Sequence, residues 1–413
     1  NVRIHFPSDV TYFAGCERPL ALLLSSDLLR QHASLSFSYG SYAEYERDLH
    51  KFVKDGIHEI PVRWRLVRVR TSATSWIPTE KPPPSNVGWL RGWIRLIRQH
   101  LHFAEALLRM FKLLREIRPD VLHLNNGGYP GAASVRAAAV AGHFLGIPKI
   151  VMVVNNKCVS KVGLERRSQL FQDLLVRRSV SHFVTASREA AVALRTCLQL
   201  DPDKVVVIPN TVPNAVRERL TKVARPESDG QGKDFIISCI GMYEPRKGQS
   251  VLLKALALLR ERDQLPSALS VYLVGEGTER TNLRATVEEL QLDPMVQLVG
   301  YQSDYLALLK NTEVLVVPSV DFEDSPLISL EAMQLGVPVI ASNFGGLAEQ
   351  FRDEQAGLLF DPGDADDLAN CLRRIFEDPF LRRSLSANGP RIFEERFAME
   401  KFVFAYQEMY ELS

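Results

Sequence analysis

Long uncharged apolar runs are missing from this sequence of 413 residues, which argues against a membrane-spanning helix. A spanning helix needs about 20 consecutive apolar residues, whereas the most apolar stretch, 132–154, is interrupted by Arg136, His143 and Lys149. No signal-peptide pattern opens the sequence, because residues 1–6 have the composition of a first core strand. These features predict a cytoplasmic location.

Cysteine is scarce, and its spacing does not suit metal binding. An odd number of scattered cysteines without a CxxC pair predicts reduced thiols and no structural zinc. The five positions are Cys16, Cys158, Cys197, Cys239 and Cys371. Solenoid repeats and a GxGxxG motif are also missing, which disfavours a repeat protein and a Rossmann dehydrogenase. No recognised nucleic-acid-binding module is present, so no nucleic-acid partner is expected.

The length is about twice that of one comfortable core, so two α/β domains are expected. The net charge of +1 conceals a division between the halves. Residues 1–208 contain 29 Lys and Arg against 17 Asp and Glu, a net of +12, and the remainder has 21 against 32, or −11. Such a difference predicts that the two halves face different partners.

Apolar strand-like segments alternate with helical segments along both halves, which predicts parallel sheets. A polar, glycine-rich segment at 225–233 is the clearest linker candidate. We predict an α/β fold of two doubly wound domains, whose ligand crevices lie at the carboxyl ends of the strands and face each other across a cleft. The expected divisions are residues 1–210, 211–392 and a C-terminal helix at 393–413 that packs back on the first domain.

Two glutamates stand eight positions apart after a short apolar strand. Glu323 falls in the loop that follows the strand, and Glu331 falls within the next helix. Each carboxylate can accept hydrogen bonds from a pair of sugar hydroxyls. An acidic surface loop followed by an ordinary helical glutamate explains the same two residues, so the pair alone leaves both interpretations open.

The helix that carries Glu331 has a sequence suited to phosphate binding at its beginning. Ser325 is a candidate cap, and Pro326 fits the first turn. The first-turn amides, including those of Leu327 and Ile328, would then present free N–H groups and the positive end of the helix dipole to a phosphate.

The surrounding sequence resembles the GT4 family of retaining glycosyltransferases, which have the two-domain GT-B fold. Residues 240–362 resemble the nucleotide-binding half of that family almost segment by segment, and the first half resembles it more sparsely. The matching segments of the second half are Gly241–Gly248, Leu273–Gly277, Val299-Gly300, Pro318-Ser319, Glu323–Glu331 and Gly345–Glu349. Those of the first half are Ala14-Gly15, Asp120–His123 and Val207–Asn210.

The resemblance implies a role for each matching residue. Glu331 would bind the ribose hydroxyls of the nucleotide, Glu323 the hydroxyls of the donor sugar, and Lys247 the leaving diphosphate. Two glycines, Gly15 and Gly241, would let their loops approach the diphosphate. The remaining nucleotide contacts would come from the backbone around Gly300 and Tyr301 and from the helix beginning at Leu327 and Ile328.

Some positions depart from the family pattern. The family usually has an arginine where this chain has Met242, and Arg246 is the natural replacement unless it is a solvent-facing loop residue. Many members have a histidine where this chain has Asn155, which can bond a sugar hydroxyl but cannot act as a general base. Cys16 replaces a second glycine that often follows Gly15. Pro326 lacks the N–H that a glycine often supplies there.

His123 ends a buried strand. It is a second acceptor-side candidate, with a packed, hydrogen-bonded core histidine as the plain alternative.

The resemblance further implies a metal-independent enzyme with no cofactor besides its donor substrate. The expected donor is a UDP-hexose, with GDP-sugars as the alternative. The expected acceptor is a lipid-linked saccharide or a growing envelope polysaccharide. A soluble small-molecule acceptor and a catalytically silent partner subunit are the two alternatives.

Residues 62–118 contain twelve Lys and Arg against three Asp and Glu, together with all four tryptophans. Their centre is a predicted helix capped by Ser85. Basic residues share one of its faces, namely Arg91, Arg95, Arg98, His102 and Arg109, and apolar residues share another, namely Trp89, Trp93, Ile97, Leu101, Leu108 and Phe111. Two interpretations stay open: a core-packed helix with a solvated basic face, or reversible docking on the anionic inner face of the plasma membrane.

Overall fold

The computed structural model describes residues 2–10, 15–53, 57–62, 88–156, 158, 164–213, 235–302, 304–352 and 355–412. Within these ranges only the backbone is described at 43, 44, 51, 52, 88–92, 95, 164 and 165. The predicted linker at 225–233, the predicted cap Ser85, and Trp64 and Trp76 lie outside the described residues.

The chain divides into two compact units. Unit 1 consists of Asn1–Ile208 and Val403–Ser413, and unit 2 consists of Pro209–Phe402. The sequence placed the corresponding divisions at 210 and 392, and the last helix, Met399–Tyr410, contains the second observed division.

Unit 1 is built on a seven-stranded parallel sheet in the order β3-β2-β1-β4-β5-β6-β7. Its strands are β1 Val2–Ser8, β2 Ala33–Gly40, β3 His58–Val62, β4 Val121–Asn126, β5 Lys149–Val154, β6 His182–Thr185 and β7 Val205–Val207. Its helices are α1 Glu17–Ser25, α2 Asp27–His32, α3 Ala43–Phe52, α4 Gly88–Ile117, α5 Ala133–Phe144, α6 Leu164–Arg167, α7 Leu170–Ser179 and α8 Arg188–Leu198.

Unit 2 has a six-stranded parallel sheet in the order β10-β9-β8-β11-β12-β13. Its strands are β8 Phe235–Ile240, β9 Leu269–Val274, β10 Val296–Gly300, β11 Val314–Val317, β12 Val339–Ser342 and β13 Gly357–Phe360. Its helices are α9 Gln249–Glu261, α10 Arg280–Glu289, α11 Tyr305–Lys310, α12 Leu327–Leu335, α13 Gly345–Phe351, α14 Ala365–Glu377 and α15 Pro379–Arg396, and α16 Met399–Tyr410 follows. The predicted class, an α/β fold with two doubly wound parallel sheets, is confirmed.

The long helix α4 packs on α5 through a face that differs from the predicted one. Its buried side chains are Phe103, Ala106, Met110 and Leu114, and they meet a run of alanines in α5. Trp93, Ile97, Leu101 and Leu108 are instead 61%, 55%, 60% and 74% exposed. The interpretation that these four side chains pack in the core is therefore wrong, because the face of α4 that packs on α5 is the one with Phe103, Ala106, Met110 and Leu114.

Two cysteines correct the prediction of reduced thiols throughout. Cys158 and Cys197 form a disulfide, with their Cα atoms 6.4 Å apart. Cys16, Cys239 and Cys371 are thiols, as expected. Sequence spacing could not reveal the pair, because 39 positions separate the two residues and only the fold brings them together.

No helix among the described residues is both long enough and apolar enough to cross a bilayer.

Candidate functional site

The candidate site of unit 2 lies where the strand order of its sheet reverses. Strands β9 and β10 extend the sheet on one side of β8, and β11 begins the other side. The loops after β8 and β11 meet at this switch point, where open α/β sheets bind their ligands. The Val320 N–H donates to the Arg246 carbonyl at 2.8 Å. Gly248, at a φ of +65°, lies so close to Pro318 that a Cβ would stand 1.9 Å from its carbonyl oxygen.

Three predicted site residues come together at this point. Glu323 Oε1 accepts a hydrogen bond from Arg246 Nη1 at 2.8 Å and another from Lys247 Nζ. The side chain of Glu323 is 9% exposed, that of Lys247 20% and that of Arg246 34%. Charge-assisted hydrogen bonds in such a shielded place are stronger than neutral ones, so this carboxylate holds two cations side by side.

Arg246 is more firmly held than a solvent-facing loop residue would be. Its Nε donates to Glu244 Oε2 at 2.8 Å, in addition to the contact with Glu323. Met242, at the family's usual arginine position, is 39% exposed. The geometry therefore favours Arg246 as the second cation, and Glu244 is a neighbour that the sequence did not single out.

Glu331 lies in the middle of α12. It is fully buried, and its Oε1 and Oε2 stand 2.9 and 3.0 Å from the hydroxyl of Tyr305. A carboxylate offers about four acceptor positions, so a residue of this type can bind more than one hydroxyl group. The sequence missed Tyr305, which opens α11 five residues after Gly300.

The beginning of α12 corrects one prediction. Pro326, not Ser325, is the residue that precedes the helix, and no side chain caps its first turn. The Ser325 hydroxyl accepts a hydrogen bond from Gln350 Nε2 at 3.0 Å instead. The first-turn amides of Leu327 and Ile328 thus receive no side-chain acceptor, which leaves the dipole end of this helix suited to an anion.

The glycines predicted to lie at the donor site differ in how closely other atoms surround them. A Cβ on Gly15 or on Gly241 would meet no atom within 4 Å, so neither is crowded by the protein itself. Gly300 has a φ of +80°, and a Cβ there would lie 2.9 Å from Glu276 Oε1. Tyr301 is 77% exposed at the end of β10.

Asn155 belongs to a chain of polar side chains at the switch point of unit 1, between β1 and β4. Its Nδ2 donates to Asn125 Oδ1 at 2.9 Å, and Asn125 Nδ2 donates to Glu17 Oε1 at 2.6 Å. The hydroxyls of Ser8 and Tyr45 also donate to Glu17, at 2.7 and 2.5 Å. Burial raises the pKa of Glu17 while these donors oppose the rise. The network orients the Asn155 amide, and the sequence did not reveal it.

His123 is enclosed in the core of unit 1. It is 1% exposed, its Nδ1 lies 2.5 Å from the Tyr410 hydroxyl, and its ring packs near those of Phe6 and Tyr406. Burial lowers its pKa to about 3, so the ring is neutral at physiological pH. This is the environment of a packed, hydrogen-bonded core histidine, the plain alternative that the sequence offered.

Within the described part of the chain, no three His, Cys, Asp or Glu side chains are grouped so that they could hold a metal ion. Unit 2 itself provides two cations, a carboxylate bonded to both of them, a buried carboxylate and a helix terminus. Such a set can bind a diphosphate and hydroxyl groups.

Comparisons with known proteins identify the family. Residues 221–392 match the family described as "Glycosyl transferases group 1", and residues 53–211 match the "Glycosyl transferase 4-like domain". The chain belongs to the GT4-type glycosyltransferases. Its GT-B fold is supported by the crystal structure of Anabaena HepE in complex with UDP, which has a TM-score of 0.71, 18% identity, and coverage of 99% of this chain and 100% of that one.

Curated relatives are similar to this glycosyltransferase over different lengths. The Escherichia coli UDP-Gal:alpha-D-GlcNAc-diphosphoundecaprenol alpha-1,3-galactosyltransferase is 25% identical over 74% of this chain and 79% of its own length. The D-inositol 3-phosphate glycosyltransferase of Salinispora arenicola is 32% identical over 47% of this chain and 45% of its own. The match with the second protein thus spans about half the length of each.

Proposed function

We propose that this glycosyltransferase transfers a hexose from a nucleotide sugar, with UDP-hexose as the expected donor, and that it retains the anomeric configuration. The proposal rests on the meeting of Arg246, Lys247 and Glu323 at the switch point of unit 2. The names of the E. coli relative and of the HepE complex, which both contain UDP, support this choice of base.

The proposed step breaks the bond between the anomeric carbon and the diphosphate oxygen, and the electron pair leaves with the diphosphate. Lys247 and Arg246 stabilise the charge that develops on that oxygen, so no metal is required. The acceptor hydroxyl forms its bond to the anomeric carbon on the same face. Its proton passes to the departing phosphate. Glu323 would bind hydroxyls of the donor sugar, and Glu331 those of the ribose.

A screen of nucleotide sugars tests this function. A ligand that binds only the folded protein raises the free energy of unfolding by RT ln(1 + [L]/Kd), and the unfolding midpoint rises with it. We expect UDP-glucose or UDP-galactose to raise it more than the matching GDP-sugars, and EDTA to leave the effect unchanged. Protection by none of these donors, together with no release of UDP or GDP in the presence of lipid-linked saccharides, would overturn the proposal and favour a catalytically silent subunit.

The proposed acceptor is a lipid-linked saccharide or a growing envelope polysaccharide. One relative is named for a diphosphoundecaprenol-linked sugar, which supports this class. The Salinispora relative is named for D-inositol 3-phosphate, which supports the alternative of a soluble acceptor.

A lipid-linked acceptor requires access to a membrane surface, and we propose that α4 provides it on the cytoplasmic side. Trp93, Ile97 and Leu101 are more than half exposed, and Arg98 is exposed between them. The apolar side chains would insert among the headgroups while the arginine contacts anionic lipid. The Arg91 and Arg95 side chains of the predicted basic face lie outside the described ones.

Vesicle sedimentation tests this docking. Replacing both Ile97 and Leu101 by serine should weaken binding to anionic vesicles at every salt concentration, since burying one such side chain contributes about 1.5–3 kcal/mol. Replacing Arg91, Arg95 and Arg98 by glutamate should abolish the salt-sensitive part of vesicle binding. Each positive charge removed should weaken the binding free energy by about 1 kcal/mol. Phe380→Ser is the matched control, because Phe380 is 78% exposed on unit 2. Parent-like sedimentation of the α4 variants would reject this surface and favour the soluble acceptor.

A further inference from the structure

Two arginines are buried in unit 1, away from the cations of the candidate donor site. Arg136 of α5 is 2% exposed and Arg166 of α6 is 6% exposed. Arginine is rarely buried to this extent unless it is paired, because moving a guanidinium out of water costs several kcal/mol. The groups that face these two side chains therefore decide what they do.

Among the described side chains, one carboxylate pairs with only one of the two arginines. Arg166 Nη1 donates to Asp173 Oδ2 at 2.7 Å, and the Tyr129 hydroxyl donates to Asp173 Oδ1 at 3.0 Å. Arg136 Nη1 donates only to the neutral amide oxygen of Gln172, at 2.7 Å. Among the described side chains of this cluster, two positive charges thus face one negative charge.

Several guanidinium N–H groups remain unsatisfied. Within the part of the chain that the structure describes, Arg136 Nε, Arg166 Nε and Arg166 Nη2 are buried without a hydrogen-bond partner. Burial lowers the pKa of Arg136, and the neighbouring Tyr129 and Asp173 oppose this shift only in part. An anion that accepts these hydrogen bonds would supply the missing charge.

We propose that Arg136 and Arg166 form a phosphate-binding site in unit 1. The planar guanidinium presents its N–H groups as a fork that matches phosphate oxygens, and two such forks suit a single phosphate group. Tyr129 lies three residues beyond the carboxyl end of β4. The strand order of this sheet reverses between β1 and β4. The site deepens the proposed function, on which it rests, because it would hold a phosphate group of the acceptor.

A neighbouring cavity bears on the source of that phosphate. The cavity measures about 390 Å³ and is lined by Trp93, Leu96, Ile97, His100, Leu101 and Ser168. His100 Nδ1 lies 3.2 Å from Gln172 Nε2, and the same Gln172 binds Arg136. Gln172 therefore connects a residue of the cavity wall to Arg136. A lipid phosphate would bury its hydrocarbon in this cavity, whereas a water-soluble phosphate has no hydrocarbon to bury.

The experiment measures protection against thermal unfolding by inorganic pyrophosphate. It uses the full chain with Arg246→Ala and Lys247→Ala, so that the donor-side cations make no contribution. The half-protecting concentration is the pyrophosphate concentration that gives half of the midpoint rise seen at the highest concentration tested. Each charge-assisted hydrogen bond contributes about 1.5–3 kcal/mol. We therefore expect the added change Arg166→Gln to raise the half-protecting concentration about tenfold or more. Arg167→Gln is the matched control, because Arg167 is exposed on the same helix, and it should change nothing.

Asp173→Asn distinguishes binding from a structural role and covers the case in which Arg166→Gln fails to fold. Removing the carboxylate leaves both guanidinium charges unopposed, so the half-protecting concentration should fall. A merely structural Asp173 would lower the unfolding midpoint without increasing the affinity for pyrophosphate. Equal half-protecting concentrations in the background protein and the Arg166 and Asp173 variants would overturn the site.

Geranyl diphosphate in place of pyrophosphate identifies the source. If geranyl diphosphate binds more tightly than pyrophosphate and Ile97→Asp abolishes the difference, the natural ligand is a lipid phosphate. If the two compounds bind equally, it is a soluble phosphate. Either result supports the phosphate site. Failure of the donor proposal would show separately, as a parent protein that no nucleotide sugar protects.

Discussion

Replacing Lys247 by alanine should lower kcat by about 10²–10³-fold, the loss typical of removing one group that stabilises a developing anion. Its Nζ contacts the carboxylate of Glu323 in a side chain only 20% exposed. Shielding from water makes the interaction of this charge with a leaving diphosphate stronger than it would be at the surface. Donor turnover with saturating donor and acceptor, compared with donor affinity, measures the effect.

The neighbouring positions provide the controls. Arg246→Ala should also lower kcat strongly, because its guanidinium shares Glu323 with Lys247. Met242→Ala should retain most of the parent activity, since Met242 lies in the same loop but contributes no charge. If Arg246→Ala retained full turnover, Arg246 would be a loop residue that merely pairs with Glu244. If Lys247→Ala did so, the site would not be the one that acts on the diphosphate.

Much of unit 2 could be predicted from the sequence because its signals are local. Short apolar segments rich in valine, isoleucine and leucine mark β8, β9, β11 and β12 as buried parallel strands. The loop at 241–248 follows β8 directly, and the segment at 323–331 lies in the loop and helix that follow β11. Once the strands are placed, parallel topology alone brings both loops to one edge.

Two edge strands, β3 and β13, have sequences that do not mark them clearly as strands. β3 contains Pro61 and two polar residues, and β13 is a four-residue segment beginning with Gly357. An edge strand forms a ladder on one side only, so it tolerates proline, glycine and charge. Composition therefore carries little information about such strands.

Features that depend on distant partners were also missed. The exposed face of α4 depends on which residues meet the alanines of α5, and the disulfide depends on where Cys158 and Cys197 lie in the fold. Tyr305 and Glu331 are 26 positions apart, and nothing near either residue indicates the other. Ser325 had an eligible cap sequence, but its hydroxyl binds Gln350 of the adjacent α13 instead.

Glu331→Ala should weaken the binding of both the nucleotide and the nucleotide sugar by about tenfold or more, because two hydrogen bonds to a charged acceptor would be lost. The site is fully buried, so water would replace those bonds poorly. Glu331→Gln is the sharper variant, since it keeps the shape and one acceptor oxygen. It should fall between alanine and the parent.

Tyr305→Phe tests whether the hydrogen bond from Tyr305 to Glu331 is needed for the carboxylate to bind the nucleotide. The change removes the hydroxyl that contacts both oxygens of Glu331 but leaves the charge in place, so the affinity for UDP should fall less than in Glu331→Ala. Calorimetric titration with UDP, with UDP-glucose and with uracil riboside lacking phosphate would measure all three variants. Because the proposed contact is with ribose, Glu331→Ala should weaken even the phosphate-free riboside. Unchanged affinity for every ligand would remove Glu331 from the site, whereas a loss confined to the phosphorylated ligands would assign it to the diphosphate side.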